Sequence, residues 1–126
     1  MIIGTGIDIV DLDVFRGRLS DELIAEVFLP AEAEYAATQV RSWENLGGRL
    51  AAKEAAFKAL GAGLSQGLRW RDVEVCREES GAISLKLHGK AAELATSKGV
   101  TRCHVSLSHS STAAMAAVVM ENDAES

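Results

Sequence analysis

An α+β domain, with helices packed on one side of a mainly antiparallel sheet, is the fold this sequence predicts. Three observations lead there. A chain of 126 residues with 48% apolar content can bury one core but not two. It opens on a β-branched run without helical periodicity, and its second half alternates as strand, strand, helix, strand, strand. A long helical region lies between, so the order reads β, helices, ββαββ.

The first strand covers residues 1–10, MIIGTGIDIV. Ile3, Thr5, Ile7 and Ile9 share one face, while Ile2, Gly4, Gly6, Asp8 and Val10 share the other. Two glycines keep that second face bare, so a ligand or another backbone can come close, with Asp8 at its end. Residues 11–38 read as helix in two or three pieces. Asp11 and Ser20 are N-cap types, and Pro30 suits a first helical turn. Ser42 is expected to cap a helix over 43–60, which Gly61 stops ahead of the flexible loop GAGLSQG. Strands follow over 72–77 and 83–87, a helix over 90–98, and strands over 102–108 and 113–120. Residues 121–126 read as a short acidic tail on a single domain spanning 1–126.

The formal charge of −5 argues against a general nucleic-acid binder. Local basic clusters at Arg16 and Arg18, at Arg49, Lys53 and Lys58, and at Arg69 and Arg71 still admit one polyanionic ligand. No apolar run is long enough to span a bilayer, and the N-terminus lacks the charge layout of a signal peptide, so the expected location is cytoplasmic. Cys76 and Cys103 lie far apart in strand-like segments and read as core thiols.

On the helix over 43–60, Trp43, Leu46, Leu50, Phe57 and Gly61 form a stripe, and Glu54 falls inside it. A carboxylate there has to be neutralised, paired or bound to a cation. Two readings stay open. Glu54 can form an ordinary i,i+4 ion pair with Lys58, or it can join Asp8 across the helix–sheet contact and hold Mg²⁺ for a phosphate-bearing substrate. In RCHVSLSHSS, Val105, Leu107 and His109 fall on one side and His104, Ser106 and Ser108 on the other. His109 thus fits a hydrogen-bonded structural residue or a site residue. A hydrolase triad of Ser106 or Ser108, His109 and Asp8 lacks a G-x-S-x-G elbow. The glycine loop follows a helix, so Gly61 is first a C-cap, and it can meet phosphate only where Lys58 or a metal offsets the helix field. Asp8, Asp11 and Asp13 do not make a calcium loop.

GIDIVD near the start, GRLAAKEAAFKALG in the middle and HVSLSHS near the end resemble, in order and spacing, the three signature segments of the bacterial holo-acyl-carrier-protein synthases. The resemblance runs over essentially the whole chain. It implies transfer of the phosphopantetheine arm of coenzyme A to a serine of an acyl carrier protein, with release of 3′,5′-ADP. It assigns magnesium to Asp8 and Glu54, with manganese left open, and it puts Lys58 and His109 beside the diphosphate. Arg49, Lys53, Gly61 and Ser108 match further coenzyme A positions, and Arg16 and Arg18 match a basic patch that docks the acidic carrier. Implied catalytic residues are Glu54, Lys58 and His109, with Glu54 or a metal-bound water taking the serine proton. A homotrimer with active sites between subunits is implied as well. One departure is Ala113, where several relatives carry an aromatic residue. The remaining alternatives are a non-catalytic coenzyme A or nucleotide-binding module and a small serine hydrolase.

Overall fold

The computed structural model describes residues 1–123. Strand β1 (Ile2–Asp11) leads into helices α1 (Leu12–Arg18), α2 (Asp21–Val27), α3 (Pro30–Ala37) and α4 (Ser42–Leu60). Two 3₁₀ turns (Leu64–Gln66 and Trp70–Asp72) precede β2 (Val73–Arg77), β3 (Ile83–Leu87), α5 (Gly89–Ser97), β4 (Arg102–His109) and β5 (Ala113–Glu121). Every strand pairing is antiparallel: β1, β5 and β4 form one sheet in that order, and β2 and β3 form a second. The expected α+β architecture therefore holds, divided over two sheets.

Local chemistry explains most boundaries. Asp11 Oδ1 accepts from the amides of Asp13 and Val14, and Ser20 Oγ accepts from Leu23 N–H, so both act as N-caps. Pro30 opens α3, and Gly61 closes α4 in the left-handed region at φ 73°. Ser42 is not a cap. Arg41 takes the cap position without a side-chain bond to the helix backbone, its guanidinium donating instead to Glu44 Oε2 at 2.8 Å, and Ser42 is the first helical residue. Two residues expected in the acidic tail belong to the fold instead. Glu121 ends β5 and Asp123 Oδ1 accepts from Thr101, while residues 124–126 lie outside the described residues.

The centre of the molecule is α4, which packs on β1, β5 and β4 on one side and on β2, α3 and α5 on the other. A Cβ added at Gly4 would lie 1.9 Å from the carbonyl oxygen of Ala59, and one at Gly6 1.9 Å from that of Ala55. The bare face of β1 thus admits the backbone of α4 itself at Ala55 and Ala59, within a helix whose alanines 51, 52, 55, 56 and 59 are all buried. Burial around α4 is wider than the Trp43–Leu46–Leu50–Phe57 stripe predicts: Leu46 and Phe57 are buried and Trp43 and Leu50 only half-buried, because small residues carry the sheet contact. The opposite face of the three-stranded sheet stays open, with Ile7 59% and Ile9 62% exposed. Cys76 and Cys103 are free and half-buried, and burial pushes both thiols up.

Candidate metal and phosphate site

Asp8 follows the two glycines on the inner face of β1, opposite Ala116 of β5. Its Oδ1 accepts from Lys58 Nζ at 3.0 Å, and the same ammonium donates to the carbonyl of Ile7 at 2.9 Å. Lys58, one turn after Glu54 on α4, therefore turns to the strand, where it pairs with Asp8. Asp8 Oδ2 is buried with no hydrogen-bond partner among the described residues. Such an acceptor costs free energy unless something absent from the chain satisfies it.

Glu54 sits beside this orphaned oxygen. Its carboxyl is pushed up to about 7, first by burial, then by Asp8 acting as a proton acceptor and as a like charge, with Lys58 pulling the other way. Two hard carboxylates that repel each other, one with an unused buried oxygen, fit a hard divalent cation. Among the described residues no group of three or more His, Cys, Asp or Glu side chains gathers. A cation here would rest on two protein oxygens and leave its other positions to phosphate and water, as Mg²⁺ sites commonly do.

Three of the remaining expected residues, Arg49, Ser108 and His109, form a second group. His109, at the end of β4, has Nδ1 3.0 Å from Glu44 Oε1, and Glu44 also accepts from Arg41. His109, Ser108, Arg49, Arg41 and Arg77 help line a cavity of about 510 Å³. Lys58 instead lines a shallower groove with Thr5, Gly6 and Ile7. The Ser–His–Asp triad does not form, since His109 is engaged by Glu44 and Asp8 by Lys58.

Two basic residues of the central signature are held inside the protein. Lys53 is fully buried, and its Nζ donates to Glu32 Oε1 at 2.8 Å, to Trp70 O at 3.2 Å and to Val73 O. Burial lowers its proton affinity against the pull of Glu32. The structure brings Lys53 to neither group, because its ammonium is spent on these partners. Arg49 is buried as a whole, its side chain 6% exposed, with Nη1 donating to Val75 O at 2.6 Å and Nε to Asn45 Oδ1 at 2.9 Å, yet it borders the cavity. Gly61 is exposed at the end of α4, where Lys98 Nζ donates to Leu60 O at 2.6 Å. That ammonium offsets the negative helix end, a contribution the sequence reading missed along with those of Glu32 and Glu44. Arg18 is exposed, and the Arg16 guanidinium lies 3.7 Å from the centre of the Trp43 ring.

Comparison with known proteins adds three findings. Residues 4–118 match the model of the 4′-phosphopantetheinyl transferase superfamily. The holo-[acyl-carrier-protein] synthase of Geobacter sulfurreducens is 50% identical over 125 residues, covering 96% of this chain and 98% of that protein, and the enzyme of that name from Koribacter versatilis is 41% identical, covering 97% of this chain and 100% of its own length. A crystal structure of a holo-(acyl-carrier-protein) synthase from Bacillus anthracis in complex with CoA (3′,5′-ADP) superposes with a TM-score of 0.82 at 32% identity, covering 98% of this chain and 99% of that one.

Proposed function

The chain belongs to the 4′-phosphopantetheinyl transferase superfamily, and on that premise we propose that it transfers 4′-phosphopantetheine from coenzyme A to a serine of apo-acyl carrier protein. The single observation that carries the catalytic reading is the buried, partnerless Asp8 Oδ2 beside a Glu54 whose carboxyl is pushed to about 7. Both make sense as half of a cation site awaiting a phosphorylated substrate.

The serine Oγ attacks the β-phosphorus of coenzyme A. A new O–P bond forms, the bond to the bridging oxygen of the diphosphate breaks, and its electron pair leaves on 3′,5′-ADP. Asp8 and Glu54 would hold Mg²⁺, or Mn²⁺, which when bound neutralises diphosphate charge. Lys58, fixed by Asp8 and the Ile7 carbonyl, presents its ammonium to the leaving phosphate. Glu54 is assigned to take the serine proton. Positioning carries much of the rate in such loose phosphoryl transfers.

Arg49, Ser108 and His109 line the second part of the site and are assigned to the phosphates of coenzyme A, with His109 orienting substrate and Gly61 flanking its approach. Lys53 is assigned to the core. Arg16 and Arg18 are assigned to the acidic carrier, since rim charges govern encounter with a charged partner. Two groups of site residues in separate hollows, together with the open apolar sheet face at Ile7 and Ile9, support a homotrimer whose active sites lie between subunits. Among the described residues no helix is long and apolar enough to cross a membrane. We place the reaction in the cytoplasm, with its substrates.

Intact-mass measurement of an apo-acyl carrier protein incubated with coenzyme A, magnesium and this protein tests the reading. A phosphopantetheine mass gain that EDTA abolishes is expected. An unmodified carrier at stoichiometric enzyme contradicts the transferase assignment.

A further inference from the structure

Among the described residues the strand β2 pairs only with β3, so its other edge is open to side chains. A buried row of backbone groups along such an edge needs partners. Here three buried charged side chains supply them. Glu32 Oε2 accepts from Val75 N–H at 3.0 Å, Arg49 Nη1 donates to Val75 O, and Lys53 Nζ donates to Val73 O. Glu32 is the hub of the three. Only 1% exposed, it reaches back from the first turn of α3 to Leu29 N–H at 2.9 Å and meets Lys53 at 2.8 Å and Arg49 at 3.7 Å.

This carboxylate has no part in the chemistry described above, yet it touches two residues of the 510 Å³ cavity wall. Arg49 and Val75 both line that cavity, and Glu32 contacts both. The charges do not cancel either. Two cations pair with Glu32, with Glu74 a weaker influence on Lys53, and Arg49 is the cation at the cavity's edge while Lys53 is sealed inside. A buried, hydrogen-bonded carboxylate of this kind fixes geometry more than it adds stability.

We propose that Glu32 is a positioning residue for coenzyme A: by completing the open edge of β2 and pairing with Lys53, it aims the Arg49 guanidinium at a phosphate in the cavity. This rests on the assignment of Arg49 and the cavity to coenzyme A. Loss of Glu32 frees Arg49 to reorient and unclamps the β2–β3 hairpin from α4, so ground-state binding of coenzyme A suffers while the Asp8–Glu54–Lys58 group is untouched.

The test is steady-state kinetics with coenzyme A varied at saturating carrier protein, for Glu32→Gln, Arg49→Ala and the double variant. Glu32→Gln is expected to raise KM for coenzyme A about ten- to hundredfold, the scale on which groups that orient a ligand's direct contacts act, with kcat changed less than about threefold. Arg49→Ala is expected to match it, and the double variant to add little, since both remove one interaction. A merely structural carboxylate lowers Tm and leaves KM alone. KM raised in Arg49→Ala but within about twofold of the parent in Glu32→Gln overturns the positioning role only. KM unchanged in both variants removes the cavity from coenzyme A binding and the proposal with it. Should Glu32→Gln fail to fold, Glu32→Gln/Lys53→Met removes both buried charges together, a change that buried ion pairs often tolerate, and the same KM criteria apply.

Discussion

Lys58 is the residue on which the ordinary and the catalytic readings differ most. An i,i+4 pair with Glu54 would make it a surface residue worth a few tenths of a kcal/mol. In the structure its ammonium is held between the Asp8 carboxylate and the Ile7 carbonyl, over half exposed and beside the carboxylate pair. Lys58→Ala should lower kcat about 10²–10³-fold, the usual worth of a charge that acts on the transition state, with stability nearly unchanged. Lys58→Arg should restore only part of it, because a planar fork replaces a compact ammonium. Near-parental turnover in the alanine variant contradicts the role. Glu54 supplies a second test at this scale. Its folded-state carboxyl is raised to about 7 from an ordinary 4.5, so between these values the folded chain binds more proton than the unfolded one. Stability of the metal-free protein therefore falls as pH rises through that window, and the penalty is complete above it. Glu54 is half-exposed, so solvent screening reduces the effect. Melting metal-free parent and Glu54→Gln at about pH 5 and about pH 8 checks it, with a larger loss of Tm expected in the parent and equal losses contradicting it.

At the scale of elements, the contact between β1 and α4 places Asp8 next to Glu54, and it exists because Gly4 and Gly6 carry no side chain. A methyl at Gly6 would meet the Ala55 carbonyl at 1.9 Å, and backbone on both sides cannot move aside cheaply. Gly6→Ala should destabilise the fold by about 3 kcal/mol or more, at the upper end of overpacking costs, read as a lower midpoint in urea. A midpoint equal to the parent's would mean the helix does not sit where described. The bare face was legible in the sequence, as were the caps at Asp11 and Ser20, the start at Pro30 and the stop at Gly61, because each depends on neighbours within a few residues. The burial of α4 on two sides was not, since alanine carries little periodic signal. Nor was the Glu32–Lys53 pair, which joins residues 21 apart through the tertiary fold. The nearest local sign was a glutamate in the first turn of a proline-started helix, which reads as capping alone.

For the whole molecule, one chain carries the proposed site in two parts: Asp8, Glu54 and Lys58 at the β1–α4 contact, and Arg49, Ser108 and His109 around the cavity. Their membership in one site was legible only through the resemblance of three separated segments, because spacing alone left Glu54 and Lys58 as a surface ion pair. Under the proposed assembly, a second copy on the open sheet face would complete the arrangement. The central claim is that the carboxylate pair exists for transfer and not for folding. The most direct test follows holo-carrier formation by intact mass for the parent, Asp8→Ala and Glu54→Ala, with saturating magnesium and coenzyme A, beside circular dichroism melts without metal. The account predicts that both variants melt cooperatively, at or above the parent's Tm because a like-charge repulsion is relieved, and that neither forms holo-carrier at a measurable rate. Parental conversion rates in either variant, or gross unfolding of both, would contradict it.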